Sequence, residues 1–139
     1  MPILRNWLRR AGLGRSLGAR GERLAARHLR TQGYHILARN LRTRAGEIDL
    51  VAQGPDKRQI VIVEVKSALA PLDGRPADPR PEEHVNHQKQ RRLTALACQV
   101  VRRYKLEHLP IRFDVIGVEF PPHGEPVIRH HPGAFESTV

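Results

Sequence analysis

The residues of this chain whose types and spacing could do chemistry are Asp49 and the triplet Glu64-Val65-Lys66. In the run Ile60-Val61-Ile62-Val63-Glu64-Val65-Lys66, strand alternation puts Val61, Val63 and Val65 on one face. Ile60, Ile62, Glu64 and Lys66 take the other. A strand that apolar is expected at the centre of a sheet, where burial ordinarily rejects charge. At i and i+2, Glu64 and Lys66 could form a simple ion pair. They could equally be a metal-binding carboxylate beside a cation that stabilises a reacting phosphate or hydroxide. Upstream, Gly46-Glu47-Ile48-Asp49-Leu50 begins another strand, and alternation sends Ile48 and Leu50 one way, Glu47 and Asp49 the other. In a hairpin Asp49 then falls on the face of Glu64. Two carboxylates and several waters suit Mg²⁺, which keeps an octahedral oxygen shell. Such an ion lowers the pKa of bound water and neutralises charge on a phosphoryl oxygen. Lysine adds a compact point charge, and Glu47, at the strand's start, is a supporting candidate.

These residues need elements to position them. Residues 16–32 read as a helix, with Ser16 as N-cap and Gly33 as the stop. At about 100° per residue, Leu17, Gly21, Leu24, Ala25 and Leu29 form its apolar arc, opposite Arg20, Arg23, Arg27 and Arg30. Glu22 falls at the border of that arc, free to face either the sheet or water. Residues 34–41, 47–53 and 59–67 read as strands, the last two joined by Gly54-Pro55-Asp56 as a hairpin. Residues 68–81 carry five prolines and glycines and must be a loop. A long helix is expected from Pro81 or Glu82 to Tyr104, with Glu82 and Glu83 in its first turn where the dipole favours acids. Its apolar arc is Leu93, Leu96, Ala97, Val100 and Tyr104. Lys89 and Gln90 lie within that arc, aimed either at the site or snorkelling to water. Residues 111–118 and 127–131 complete the strands. The expected fold class is α/β: a mixed β-sheet flanked by helices, in the order α-β-β-β-α-β-β.

Composition narrows the partners. The 139 residues carry a formal net charge of +10, from 24 Lys and Arg against 14 Asp and Glu. Arg dominates, and its planar fork suits bidentate phosphate contacts. The expected partner is nucleic acid, although a merely arginine-rich solvated surface would show the same charge. No apolar run approaches the ~20 residues that span a bilayer, and no membrane partner is expected. Arg5, Arg9 and Arg10 interrupt the apolar start, so no secretory h-region is formed. A cytoplasmic protein is the expectation, and Cys98 as the single cysteine fits it. Residues 1–15 form a basic segment, either an amphipathic helix or a tail packing Trp7, ahead of a single domain over 16–136. Arg112 and Asp114 share a strand face and read first as a structural ion pair. The eight histidines, including His84, His87, His130 and His131, fit no zinc spacing and read as surface groups.

Asp49…Glu64-Val65-Lys66 resembles the signature of the PD-(D/E)XK, restriction-endonuclease-like, nuclease superfamily. More narrowly, the chain resembles the bacterial YraN family, similar to archaeal Holliday junction resolvases. The matching residues are Gly18…Gly21-Glu22…Ala25…Leu29, Gly33-Tyr34, Arg39-Asn40, Gly46-Glu47-Ile48-Asp49-Leu50, Val63-Glu64-Val65-Lys66, Lys89-Gln90…Leu93, Arg112-Phe113-Asp114-Val115 and Ala134-Phe135. The resemblance implies a restriction-endonuclease-like sheet and Mg²⁺ or Mn²⁺ on Asp49 and Glu64, with the Val65 carbonyl assisting. It implies that Lys66 positions or activates the attacking water and that Glu22 is an additional acid of the site. Ser67-Ala68 follow Lys66 where many relatives carry a basic residue. Arg20, Arg23, Arg42, Arg44, Lys89 and Gln90 are the candidate nucleic-acid contacts. The implied activity is metal-dependent cleavage of DNA, branched or structured, and a two-fold junction would suit a homodimer. The alternative is a catalytically idle nucleic-acid-binding module on the same fold.

Overall fold

The computed structural model describes residues 16–137. The basic segment 1–15 and its Trp7 lie outside the described residues. Helix α1 (Leu17–Thr31) starts as expected, with the Ser16 hydroxyl accepting the Ala19 N–H at 3.1 Å. Gly33, at φ 89°, turns the chain out of it. Strands β1 (His35–Thr43), β2 (Gly46–Gln53) and β3 (Ile60–Leu69) follow. After the loop comes a 3₁₀ turn at Pro81–His84, then helix α2 (His87–Arg103), β4 (Ile111–Phe120) and β5 (Val127–Phe135). The five strands lie in the order β1-β2-β3-β4-β5, antiparallel throughout except for the parallel pair β3–β4. A parallel pair needs a crossover, which the loop, the 3₁₀ turn and α2 supply. The mixed sheet, its flanking helices and their order are as expected.

The helices cover opposite faces. On one face α1 buries Ala25, Ala26 and Leu29 against Leu50, Ala52, Val61, Val63, Val65, Ile116 and Val118. On the other, α2 buries Leu93, Leu96, Ala97 and Val100 against Ile48, Val51, Ile60, Ile62 and Phe113. The alternation expected along β3 is therefore observed, and each fully buried Leu or Ile contributes about 1.5–3 kcal/mol. Gly21 lets α1 approach closely: a Cβ there would collide with Ser67 Oγ and stand 3.0 Å from Ser67 Cβ.

Three local expectations need correction. Helix α2 begins at His87, not at Pro81 or Glu82, because Asn86 caps it by accepting the Lys89 N–H at 2.9 Å. Glu82 and Glu83 belong to the separate 3₁₀ turn, and the Glu82 carboxylate is drawn to Arg129. Tyr104 is the C-cap residue, half exposed, rather than part of the buried arc. Ile48 and Leu50 do not share a face: Ile48 packs on the α2 side and Leu50 on the α1 side. The pleat is broken where the β2–β3 ladder ends, beside Asn40 of β1 at φ 50°.

Candidate metal centre

The β2–β3 ladder runs from Gln53↔Ile60 to Leu50↔Val63 and stops. Past it, β3 stays paired with β4 as far as Leu69↔Phe120, but its other edge is open. There the Val65 N–H donates to Asp49 Oδ2 at 2.8 Å, so a side chain takes the place of a strand partner. Asp49 and Glu64 meet in this fork, as the hairpin expectation requires.

Glu64 is 4 % exposed. Its Oε1 lies 3.3 Å from Lys89 Nζ and 3.7 Å from Lys66 Nζ. Its Oε2 is buried without a hydrogen-bond partner, a costly condition unless something else satisfies it. Burial and the charge of Asp49 push the Glu64 carboxyl up to about 7, against the pull of Lys89 and Lys66. Burial also raises Asp49, offset in part by the Val65 N–H, Glu64 and Lys89. Glu22, half-buried on α1, turns toward the sheet. Burial and then the Asp49 charge carry it to about 7, while an Asn40 side-chain hydrogen bond works the other way.

Glu22, Glu47 and Asp49 each offer a carboxylate oxygen, all within 4.8 Å of one another. Asp49 thus belongs to two groups, one with Glu22 and Glu47 and one with Glu64 and the two lysines. Carboxyls raised by burial, and in Glu22 and Glu64 by the Asp49 charge as well, are groups that a cation would relieve. The donors are all hard oxygens, including the unpartnered Glu64 Oε2, and this set fits Mg²⁺, Mn²⁺ or Ca²⁺ rather than a softer metal.

The family comparison covers this same stretch. Residues 21–118 match the model described as "Uncharacterised protein family UPF0102". A UPF0102 protein of Rhodopirellula baltica is 40% identical over 124 residues, covering 87% of this chain and 71% of that protein. One from Symbiobacterium thermophilum is 42% identical over 125 residues, covering 90% of this chain and 100% of that one. The chain belongs to UPF0102. Glu22, Asp49, Glu64, Lys66 and Lys89 all lie inside the matched UPF0102 residues. Among solved structures, the Pyrococcus furiosus SfsA complex with Ca²⁺ is similar at a TM-score of 0.32 and 15% identity, over 81% of this chain and 61% of that one. That likeness is loose.

The remaining candidates of this UPF0102 chain divide. Arg20 and Arg23 flank Glu22 on α1, Arg20 half-buried and Arg23 exposed. Arg42 is exposed and lies 3.5 Å from Glu47, while Arg44 sits in the β1–β2 turn. Lys89 does not snorkel; it reaches Glu64. Gln90 does not reach the site, because its Nε2 donates to Val85 O at 3.1 Å. Arg112 and Asp114 form the expected ion pair, with contacts at 2.7 and 2.8 Å. Burial would raise Asp114, but hydrogen bonds from His130, Arg112 and the Gly133 N–H hold it below its ordinary value. His130 and His131 are not free surface groups: they bond Asp114 at 2.7 Å and Glu82 at 3.0 Å. Among the described residues no helix is long and apolar enough to cross a membrane.

Sequence reasoning gave Asn40 no role in the site beyond its place in the family resemblance, and it underrated Glu47. An asparagine beside arginine in a strand carries no local signal. Its left-handed φ, which Asn tolerates better than most residues, arises only where β1 follows the broken pleat of β2.

Proposed function

We propose that this protein is a divalent-metal-dependent endonuclease acting on DNA, branched or structured, in the manner of the resolvase-like PD-(D/E)XK enzymes. The observation that carries this reading is the buried Glu64 Oε2 without a hydrogen-bond partner, on the strand whose next residue, Val65, donates its N–H to Asp49, with two lysines on the other Glu64 oxygen. Asp49, Glu64 and the Val65 carbonyl would hold the ion, with Glu22 and Glu47 on the far side of Asp49. A divalent ion there supplies Lewis-acid charge neutralisation and lowers the pKa of water.

The chain's own groups do the rest. The Val65 N–H fixes one oxygen of Asp49, so its carboxylate is pre-aimed rather than free to rotate. Lys66 and Lys89 bring two ammonium groups to the edge where a phosphodiester would lie. A non-bridging phosphate oxygen can take over the contact that each makes with Glu64. Either ammonium can then donate a hydrogen bond to the attacking water, whose proton leaves to solvent, or stabilise the charge developing on the phosphate. Arg20, Arg23, Arg42 and Arg44 border the acids and would offset their repulsion of a polyanion.

The test is cleavage of tailed, flapped, four-way-junction, duplex and single-stranded DNA, and of RNA, with Mg²⁺ or Mn²⁺. Metal-dependent cutting that disappears in Glu64→Gln and Lys66→Ala supports the enzyme. Cutting that survives both substitutions would belong to a contaminant and would overturn it. The second reading is an idle nucleic-acid-binding module, favoured by the engagement of Glu64 Oε1 by two ammonium groups. It predicts salt-sensitive binding with no cutting by wild-type protein.

A further inference from the structure

A cavity of about 260 Å³ opens beside the metal centre on the α2 face of the sheet, between the 3₁₀ turn, the start of α2 and β5. Val115 ties it to the site, and Gln90 lines it from the start of α2. Val115 is the Cα partner of Glu64 across the β3–β4 ladder, so the two backbones are roughly one strand spacing apart, ~4.8 Å. Gln90 follows Lys89, which reaches Glu64. A group one nucleotide removed from a phosphate at Glu64 therefore falls within reach of the cavity.

Its lining selects the ligand. Val85, Val115, Ala134 and Phe135 supply apolar walls, and Phe135 is held as a platform by stacking on Phe113, centroids 4.9 Å apart with ring planes 20° apart. The polar groups are Gln90, whose amide carbonyl remains an acceptor while its Nε2 bonds Val85 O, and the half-exposed His131 ring. Two carboxylates border the cavity, but both are engaged. Glu82 is bound by Arg129 at 2.6 and 3.0 Å, and Glu83 Oε2 accepts the Arg80 N–H at 2.6 Å. Glu82 is paired with a cation and Glu83 only with a backbone N–H, so the lining suits a neutral ring rather than an anion. Pockets for drug-sized ligands run ~300–1,000 Å³, so this one suits a single planar ring system.

We propose that this cavity takes an unpaired nucleobase adjoining the scissile phosphate, so that the protein prefers DNA with an unstacked nucleotide at the cut over continuous duplex. Proteins that read unpaired strands commonly stack their bases on an aromatic side chain, and Phe135 is the ring available here. The proposal rests on the endonuclease reading, since it assumes a phosphate at Glu64.

Two variants test it. Ala134→Phe fills the cavity from the edge strand β5 without removing a core group, and Phe135→Leu removes the platform. With Ca²⁺ present, anisotropy is measured for a blunt duplex and for the same duplex with a single-stranded tail. The tail carries 2-aminopurine at its first unpaired position. Wild-type protein should bind the tailed DNA more tightly and quench the 2-aminopurine. Both variants should lose the quench and bind the tailed DNA roughly tenfold more weakly, with duplex affinity unchanged. Unchanged quench and affinity in Ala134→Phe, or an equal loss on the blunt duplex, overturns the pocket. Quenching of free 2-aminopurine nucleotide without preference for the tailed strand overturns it in favour of a free-nucleotide site. Metal-dependent cleavage that is equal for all three proteins on both DNAs removes the pocket and leaves the endonuclease standing. Absence of binding to either DNA removes both.

Discussion

Lys89 Nζ stands 3.3 Å from Glu64 Oε1, closer than Lys66 Nζ at 3.7 Å. The cation nearest the buried carboxylate comes from α2 and not from the strand that carries the motif. The two ammonium groups share one oxygen and leave the other unpartnered.

Removing either lysine should separate catalysis from metal binding. Lys66→Ala and Lys89→Ala are each expected to lower cleavage by roughly 10²-fold, the scale of losing one preorganised charge stabiliser. Mg²⁺ affinity by calorimetry should change less than tenfold, because neither ammonium is a ligand. Equal losses of affinity and rate would show that the lysines act only by holding the metal ligands in place.

Asp49 carries two duties that substitution can split. Asparagine keeps an oxygen for the Val65 N–H, so Asp49→Asn should fold normally and lose Mg²⁺ binding. Alanine removes the acceptor as well. Asp49→Ala should cost a further ~1–3 kcal/mol for the unsatisfied donor, read as a lower denaturation midpoint than Asp49→Asn.

Glu64 should make the metal-free protein less stable as pH rises. Its carboxyl is raised from 4.5 to about 7 on folding, so the folded state holds its proton more tightly than the unfolded state. Stability from this group is present below about pH 4.5 and falls as pH climbs through 7. Glu64→Gln removes the charge, and in EDTA at pH 8 it should stabilise by an amount of order 1–3 kcal/mol. The gain should vanish near pH 4, and added Mg²⁺ should stabilise the wild type alone. A Glu64→Gln protein less stable than wild type in EDTA at pH 8 would contradict the assigned shift.

Gly21 sets the distance of Glu22 from Asp49. Gly21→Ala drives a methyl into Ser67 Oγ and against Ser67 Cβ. The expected cost is ~1–3 kcal/mol, with α1 lifted from β3 and Mg²⁺ affinity reduced. Adding Ser67→Gly should restore most of both, a non-additivity that a melting series on the four proteins would reveal.

Arg129 ties the proline-rich loop to the sheet. It bonds Glu82 and also Glu119 Oε1 at 2.7 Å, and Glu119 Oε2 accepts the Ala77 N–H at 2.8 Å. Hydrogen bonds from Arg129 and His131 outweigh burial and hold Glu82 at about 2. Arg129→Met takes the guanidinium away from two buried carboxylates and should cost ~3–5 kcal/mol. Limited proteolysis should then cut within residues 70–80 before the rest of the chain unfolds.

The amino-acid sequence by itself determined the elements and the core of the candidate site. Ser16 and Gly33 bound α1, the Gly54-Pro55-Asp56 turn closes the β2–β3 hairpin, and alternation along β3 puts Glu64 and Lys66 together. These are consequences of local sterics and of periods of two and about 3.6 residues, which a linear string carries in full. Tertiary structure alone decided which polar groups converge. Where the β2–β3 ladder ends, how the pleat breaks between Ile48 and Leu50, and that Asp49 stands in for a strand partner depend on pairings between distant segments. The same holds for Lys89 turning to Glu64, for Asn40 reaching Glu22, and for Glu82 leaving the expected helix to lie over Gly117 beside Arg129. A buried charge settles where its partners are, and those partners come from other elements, out of reach of any local pattern.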